Sequence, residues 1–160
     1  MNNKINLKQI ILFIIYLGML IFFMYECFQN GDSAGNQASI FSNIIAKIHG
    51  FFKGEEIIVD DNYRLVISKL FGHYGYFCVL GLVSILFYMT ITRFRILWRF
   101  MIHFGVGFIF AIATEFIAEA ATSGRNASFV DVLIDSAGLL TFSGIYIIIY
   151  IIIMKKRRIE

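Results

Sequence analysis

The sequence predicts an all-α, polytopic membrane protein with four transmembrane helices and a short amphipathic interfacial helix between helices 1 and 2. Two observations predict this fold. Of the 160 residues, 59% are hydrophobic and none is proline. Four apolar stretches also reach the length of about 20 residues that a helix needs to cross a bilayer. Together they leave no room for a soluble catalytic domain, so residues 1–160 are interpreted as one membrane domain.

The four spans are predicted at residues 10–28, 73–91, 101–120 and 131–154, and a helix that starts near Asn62 enters the second. Basic residues predict the orientation, because cytoplasmic loops are enriched in Lys and Arg. They flank the ends that would share one side: Lys4, Lys8, Arg93, Arg95, Arg99, Lys155, Lys156, Arg157 and Arg158. Both termini are therefore predicted to be cytoplasmic. The net charge of +3 reflects this topology and does not indicate nucleic-acid binding.

Residues 29–61 form the one long segment between spans. Its polar, Gly-rich beginning, residues 29–37, predicts a loop. Apolar residues then recur at helical spacing: Ile40, Phe41, Ile44, Ile45, Ile48 and Phe52. They predict an amphipathic helix that either lies on the outer leaflet or packs as a lid over the bundle. Gly50 and Gly54 are candidates for its end. Three residues could cap the next helix: Asp60, Asp61 and Asn62.

Three pairs of polar residues, each four positions apart, stand where the bilayer disfavours them. They are Lys69 with His73, Glu115 with Glu119, and Asp131 with Asp135. This spacing places each pair on one helix face. One ionisable side chain at the centre of a membrane helix costs about 2.5–3.5 kcal/mol on insertion scales. The topology brings all three pairs to the outer leaflet, together with Glu26 and Arg125. This convergence predicts a built polar site, and the alternative is interhelical bonding that only orders the bundle.

These residue types allow several kinds of chemistry. The planar guanidinium of Arg125 can hold a carboxylate or phosphate with two hydrogen bonds, or it can neutralise a neighbouring acid. His73 beside a carboxylate such as Glu115 could act as a general base, so these two residues are the catalytic candidates. Clustered His, Asp and Glu can also bind a divalent cation. No tight metal-binding or cofactor motif is present, so neither a metal nor a cofactor is predicted.

The ordered motifs resemble those of the VanZ-like family. Lys69-Leu-Phe-Gly-His73-Tyr-Gly-Tyr-Phe77, followed by Leu80-Gly81, is similar to the first signature of that family. A second signature usually reads Asp-Glu-x-x-Gln, then Gly-Arg, then Asp, then Asn or Asp, then Gly. Its counterpart here is Glu115-Phe-Ile-Ala-Glu119, Gly124-Arg125 and Asp131-Val-Leu-Ile-Asp135-Ser-Ala-Gly138. Phe28-Gln29-Asn30-Gly31 with Ser33 resembles the polar stretch that follows the first span of the family.

The resemblance extends over residues 10–154 and includes departures. When the signature is aligned on Arg125, Glu115 occupies the position where the family usually has Asp, and Phe116 occupies the position where it usually has Glu. Glu119 occupies the position where the family usually has Gln. Tyr76, three residues after His73, occupies a position where the family commonly has an acidic residue. The pattern of acids around one His and one Arg is retained.

The resemblance implies a multi-pass protein of the bacterial cytoplasmic membrane, in a family whose named member is linked to resistance to the glycopeptide teicoplanin. The polar site would bind a membrane lipid or lipid-linked envelope molecule, or alter the access of a lipoglycopeptide antibiotic. Its predicted members are Lys69, His73, Glu115, Glu119, Arg125, Asp131 and Asp135. The alternative is a small enzyme, a hydrolase or transferase acting on a lipid head group. An ion-coupled transporter is disfavoured because the acidic residues occupy only one leaflet. Four spans would need to oligomerise to form a transport pathway, and the sequence does not determine the oligomeric state.

Overall fold

The structure is a computed structural model that describes residues 6–91, 95–119, 121–123 and 126–157, without the side chains of residues 118 and 119. Six α-helices follow one another in these ranges: α1 (Leu7–Cys27), α2 (Gly31–Lys53), α3 (Asp61–Ile67), α4 (Tyr76–Ile91), α5 (Ile96–Ala113) and α6 (Phe129–Lys156). Four helical stretches are long and apolar enough to cross a membrane, at Leu7–Cys27, Asp61–Ile91, Ile96–Ile117 and Phe129–Lys156. The described residues contain no strand. The predicted all-α, polytopic fold is confirmed.

Two π-helical turns interrupt the long helices. The first π turn, Ser68–Gly75, joins α3 to α4 within one continuous helix. The second π turn, Thr114–Glu119, continues α5. A π turn inserts one extra residue into a helical turn and is frequently found at functional sites. Both π turns contain one of the polar pairs that the sequence singles out, a coincidence that no sequence pattern predicted.

Hydrogen bonds tie the helix ends together at both ends of the bundle. At one end, Gln9 Nε2 in α1 donates to the carbonyl oxygen of Thr90 in α4 at 2.7 Å. At the other end, the backbone N–H of Gly31 donates to the carbonyl oxygen of Ser123 at 3.1 Å. Successive spans therefore run in opposite directions, as four crossings require. The end that faces the cytoplasm stays a prediction from the basic residues.

The segment after α1 differs from the prediction. Residues 31–37 were predicted as part of a loop, but the structure places them in α2, which is therefore much longer than the expected short helix. The side chain of Asn30 caps α2 by accepting a hydrogen bond from the backbone N–H of Ser33 at 2.9 Å. This cap, with Asp32 in the first turn, stabilises a helix start that composition alone did not indicate.

The remaining predictions for α2 concern its end and its apolar face. The helix ends at Gly54, whose φ of +73° is the left-handed conformation that favours glycine, whereas Gly50 lies within the helix. Three isoleucines of its apolar face are exposed, at 62%, 51% and 51% for Ile40, Ile44 and Ile48, whereas Ile45 is half-buried. Such a face fits a helix that rests in the membrane interface. The next helix is capped by Asp60, as the sequence predicted.

The centre of the bundle is the close contact between α4 and α6. A Cβ at Gly81 would lie 2.6 Å from the carbonyl oxygen of Leu139, so only glycine permits this approach. Leu139 itself is buried with Phe77 and Leu80 in the apolar core. Because α4 and α6 both start at the same end of the bundle, this contact also brings the polar residues at their beginnings together.

Candidate functional site

Two ion pairs connect the parallel helices that carry the first and third polar pairs. Lys69 Nζ donates to Asp131 Oδ1 at 2.5 Å, and one helical turn further along, His73 Nδ1 lies 3.1 Å from Asp135 Oδ1. Helices that run in the same direction keep a constant offset, so residues four apart on one helix meet residues four apart on the other. Each basic residue of the first polar pair therefore lies beside an acidic residue of the third polar pair.

Glu115 lies beneath these pairs, at 0% exposure, in the second π turn. Its Oε2 accepts a hydrogen bond from the backbone N–H of Ser128 at 3.1 Å, and its Oε1 lies 3.8 Å from His73 Nδ1. Ser128 is also the N-cap of α6 and accepts from the N–H of Asp131 at 3.3 Å. The start of α6 is thus held against Glu115, which fixes where Asp131 and Asp135 enter the site.

The imidazole of His73 has a defined orientation. A carboxylate can only accept a hydrogen bond, so the bond to Asp135 assigns a proton to Nδ1. An edge-to-face contact with Phe23, with ring centroids 6.0 Å apart, also restrains the ring. In the neutral ring, Nε2 is then the nitrogen that can accept a hydrogen bond or a proton. Asp135, rather than the Glu115 named from sequence, is the acid closest to the histidine.

A cavity of about 410 Å³ opens beside His73, between the end of α1, the start of α2 and the first π turn. Its walls are mainly aromatic and aliphatic, and its polar members include His73 and Glu26. The volume falls in the range of about 300–1,000 Å³ that is typical of ligand pockets. His73 therefore borders both the cavity and the ion pair with Asp135.

The structure brings together most of the residues predicted for the site. Five of them meet as described above: Lys69, His73, Glu115, Asp131 and Asp135. The side chain of Glu119 and the whole of Arg125 lie outside the described residues, so their membership stays a prediction. Sequence reasoning missed the residues that shape the cavity and orient the polar groups: Phe22, Phe23, Phe41, Phe71, Tyr76 and Ser128. The sequence marks Ser128 through its position before the acidic first turn of a helix.

Three of these residues offer atoms that could surround a metal ion. Ligand atoms of His73, Glu115 and Asp131 all lie within 4.8 Å of one another. However, the ammonium group of Lys69 is 2.5 Å from Asp131 and already neutralises the charge that a cation would use. The geometry therefore favours an ion pair over a metal centre at Asp131.

The comparisons with known proteins identify no relative. No protein-family model matches the chain, and neither do any of the curated proteins or the solved structures. The resemblance to the VanZ-like family accordingly rests on the motifs alone.

Proposed function

We propose that the protein binds an amphiphile of the cell envelope in the cavity beside His73, with the polar head at the ion pairs and the tail against the aromatic wall. The amphiphile is a lipid-linked envelope molecule or a lipid-tailed glycopeptide antibiotic, a choice that the resemblance to the VanZ-like family suggests because its named member is linked to teicoplanin resistance. The protein would then act in the outer leaflet of a bacterial cytoplasmic membrane, with both termini in the cytoplasm.

One observation carries this proposal: a largely apolar cavity adjoins a polar cluster at one end of the helical bundle. A pure structural cluster would need no adjoining cavity. Phe22 and Phe71 supply apolar surface for a tail, and His73 supplies a polar contact at its end. Glu119 and Arg125 are proposed as further members on the sequence pattern.

Susceptibility of an expressing host tests the proposal. Expression should reduce susceptibility to teicoplanin, which has a lipid tail, and leave susceptibility to vancomycin, which has none, unchanged. Ala38 lines the cavity, so Ala38→Phe should fill it and abolish protection. Asn36 is exposed on the same helix, so Asn36→Phe is the matched control and should retain protection. Equal protection by Ala38→Phe at equal protein level would contradict the proposal.

A second candidate function, an enzyme that acts on a lipid head group, is favoured by the pairing of Asp135 with His73. A carboxylate that holds Nδ1–H leaves Nε2 to take a proton from water or from a hydroxyl, which is the arrangement of a general base. Asp135→Asn can reverse the tautomer, and it should lower the rate by about 10²–10⁴-fold. The assay is release of head group from lipid vesicles by the purified protein, and no release by the wild type would exclude this candidate.

A further inference from the structure

The cavity opens between α1, α2 and the first π turn, and each of these elements contributes one exposed phenyl ring to its lining. The rings belong to Phe22, Phe41 and Phe71, which are 54%, 41% and 43% exposed. Phe23, by contrast, is buried and contacts His73, so it belongs to the inner wall. The three exposed rings therefore frame the mouth of the cavity.

On α1, the mouth continues a lipid-facing surface. Ile11, Ile15, Gly18 and Phe22 follow one another at helical spacing, which places them on one face of the helix. All of them are exposed, and all of them lie in the membrane-spanning stretch Leu7–Cys27. Exposed apolar residues at that depth contact the acyl chains of the bilayer. Phe22 is thus the last residue of a lipid-facing stripe and the first residue of the mouth.

On α2, the mouth lies on the apolar side of an amphipathic helix. Phe41, Ile44 and Ile48 are neighbours at helical spacing and form an exposed apolar stripe. Ala38 lines the cavity, whereas the exposed polar residue Asn36 stands two positions away, which is nearly the opposite side of an α-helix. The polar side of α2 therefore faces away from the cavity, and its apolar stripe borders the mouth.

We infer that the mouth opens sideways into the bilayer, and that the cavity takes an amphiphile already inserted in the membrane, whose acyl chain passes between Phe22, Phe41 and Phe71. Such a ligand reaches the polar cluster from within its own leaflet. Entry from water would instead expose the chain to water, at a cost proportional to its apolar area. The inference rests on the proposed amphiphile-binding function and specifies the source of the ligand.

Labelling of an engineered cysteine tests this route. Ala38→Cys places a thiol in the cavity, and the native Cys27 and Cys78 are buried, so the wild-type protein gives the background. In nanodiscs, the thiol is offered the same maleimide in two forms, on the acyl chain of a phospholipid or on a water-soluble sulfonate. Intact-mass measurements over time give the rate of each reaction, and the ratio of the two rates cancels differences in thiol reactivity. At Ala38→Cys, the ratio of lipid-borne to water-soluble labelling should exceed that at Asn36→Cys by at least about tenfold, because an apolar mouth excludes a charged reagent.

Two glycines supply the lipid-facing reference and a block of the mouth. A Cβ at Gly18 meets no described atom within 4 Å, so Gly18→Cys gives the ratio for a thiol in lipid. Gly72 lines the cavity, and the nearest atom to a Cβ there is Ser68 Oγ at 3.8 Å, an ordinary contact. Gly72→Leu should therefore fit the helix, occupy the cavity and lower lipid-borne labelling of Ala38→Cys toward the level at Asn36→Cys. Gly18→Leu, the matched control outside the cavity, should leave that labelling unchanged.

The outcomes separate the lateral route from the function on which it rests. Similar ratios at Ala38→Cys and Asn36→Cys overturn the route, and so does lipid-borne labelling that Gly72→Leu leaves unchanged. A thiol at Ala38→Cys that reacts with neither reagent overturns it as well, because the cavity is then closed. If the route fails while Ala38→Phe still abolishes protection, the amphiphile is bound but enters from water. If Ala38→Phe retains protection while the labelling ratios are as expected, the proposed function fails and the lateral mouth stands.

Discussion

Gly138 is the position at which the contact between α4 and α6 can be tested most directly. An alanine Cβ at this position would lie 2.5 Å from the carbonyl oxygen of Tyr74, 2.9 Å from Cβ of Phe77 and 3.2 Å from the backbone nitrogen of Cys78. Two of these atoms are backbone, so no side-chain rotation relieves the overlap. Normal contacts of about 3.5–4.0 Å require the helices to separate by roughly 1 Å.

The expected magnitude follows from two opposing effects. Overpacking of a tight core costs about 1–3 kcal/mol. Alanine in a helix is favoured over glycine by about 0.5–1 kcal/mol, which partly offsets that cost. Gly144 provides a matched control on the same helix, because a Cβ there meets nothing within 4 Å. Gly144→Ala should therefore show the helical gain alone, and the difference between the two variants isolates the steric cost of about 1–3 kcal/mol.

Thermal stability in detergent measures this difference. A chain of 160 residues shifts its melting temperature by about 2–4 °C for each kcal/mol. Both variants are heated in parallel, and the fraction that remains monodisperse by size-exclusion chromatography gives the midpoint. Gly138→Ala should melt several degrees below Gly144→Ala. A melting temperature of Gly138→Ala at or above that of Gly144→Ala would refute the close backbone contact.

Three further predictions address the ion pair, the helix cap and the topology. Lys69→Met should lower stability by about 1.5–3 kcal/mol, because it removes a hydrogen bond between charged groups and leaves the part-buried carboxylate of Asp131 without its cation. Adding Asp131→Leu should restore most of the loss in the same thermal assay, and no rescue would contradict the pairing. Asn30→Ala removes the cap of α2 and should cost about 0.5–2 kcal/mol, seen as faster proteolysis of that helix; unchanged proteolysis would argue against the cap. A cysteine placed at Asn36 should react with an impermeant thiol reagent in intact cells, whereas one at Arg157 should not; the reverse pattern would invert the proposed orientation.

The fold was predictable because a bilayer leaves few choices. Apolar stretches of sufficient length must form helices there, since unpaired backbone groups are too costly in lipid. The same constraint does not act on residues 31–37, which lie outside the spans, and there the composition-based prediction of a loop was wrong. The cap at Asn30 stabilises the start of a helix through this polar stretch.

The candidate site was predictable in membership but not in pairing. Spacing and topology placed Lys69, His73, Asp131 and Asp135 at the same end of the bundle. The offset between two parallel helices, which decides that Asp135 rather than Glu115 lies closest to His73, depends on how α4 packs on α6. That packing is set by the close approach at Gly81 and Gly138, and no local pattern encodes it.

The sequence by itself determined the number of spans, the face of each polar pair and the end of the bundle that is polar, because these depend on hydropathy and helical periodicity alone. Only the tertiary structure decided the two π turns, the partners of each charge and the cavity that α2 closes over His73. These features arise from contacts between residues far apart in the chain, such as Phe41 with Phe71. Their geometry is set by side-chain packing, which spacing along one helix does not specify.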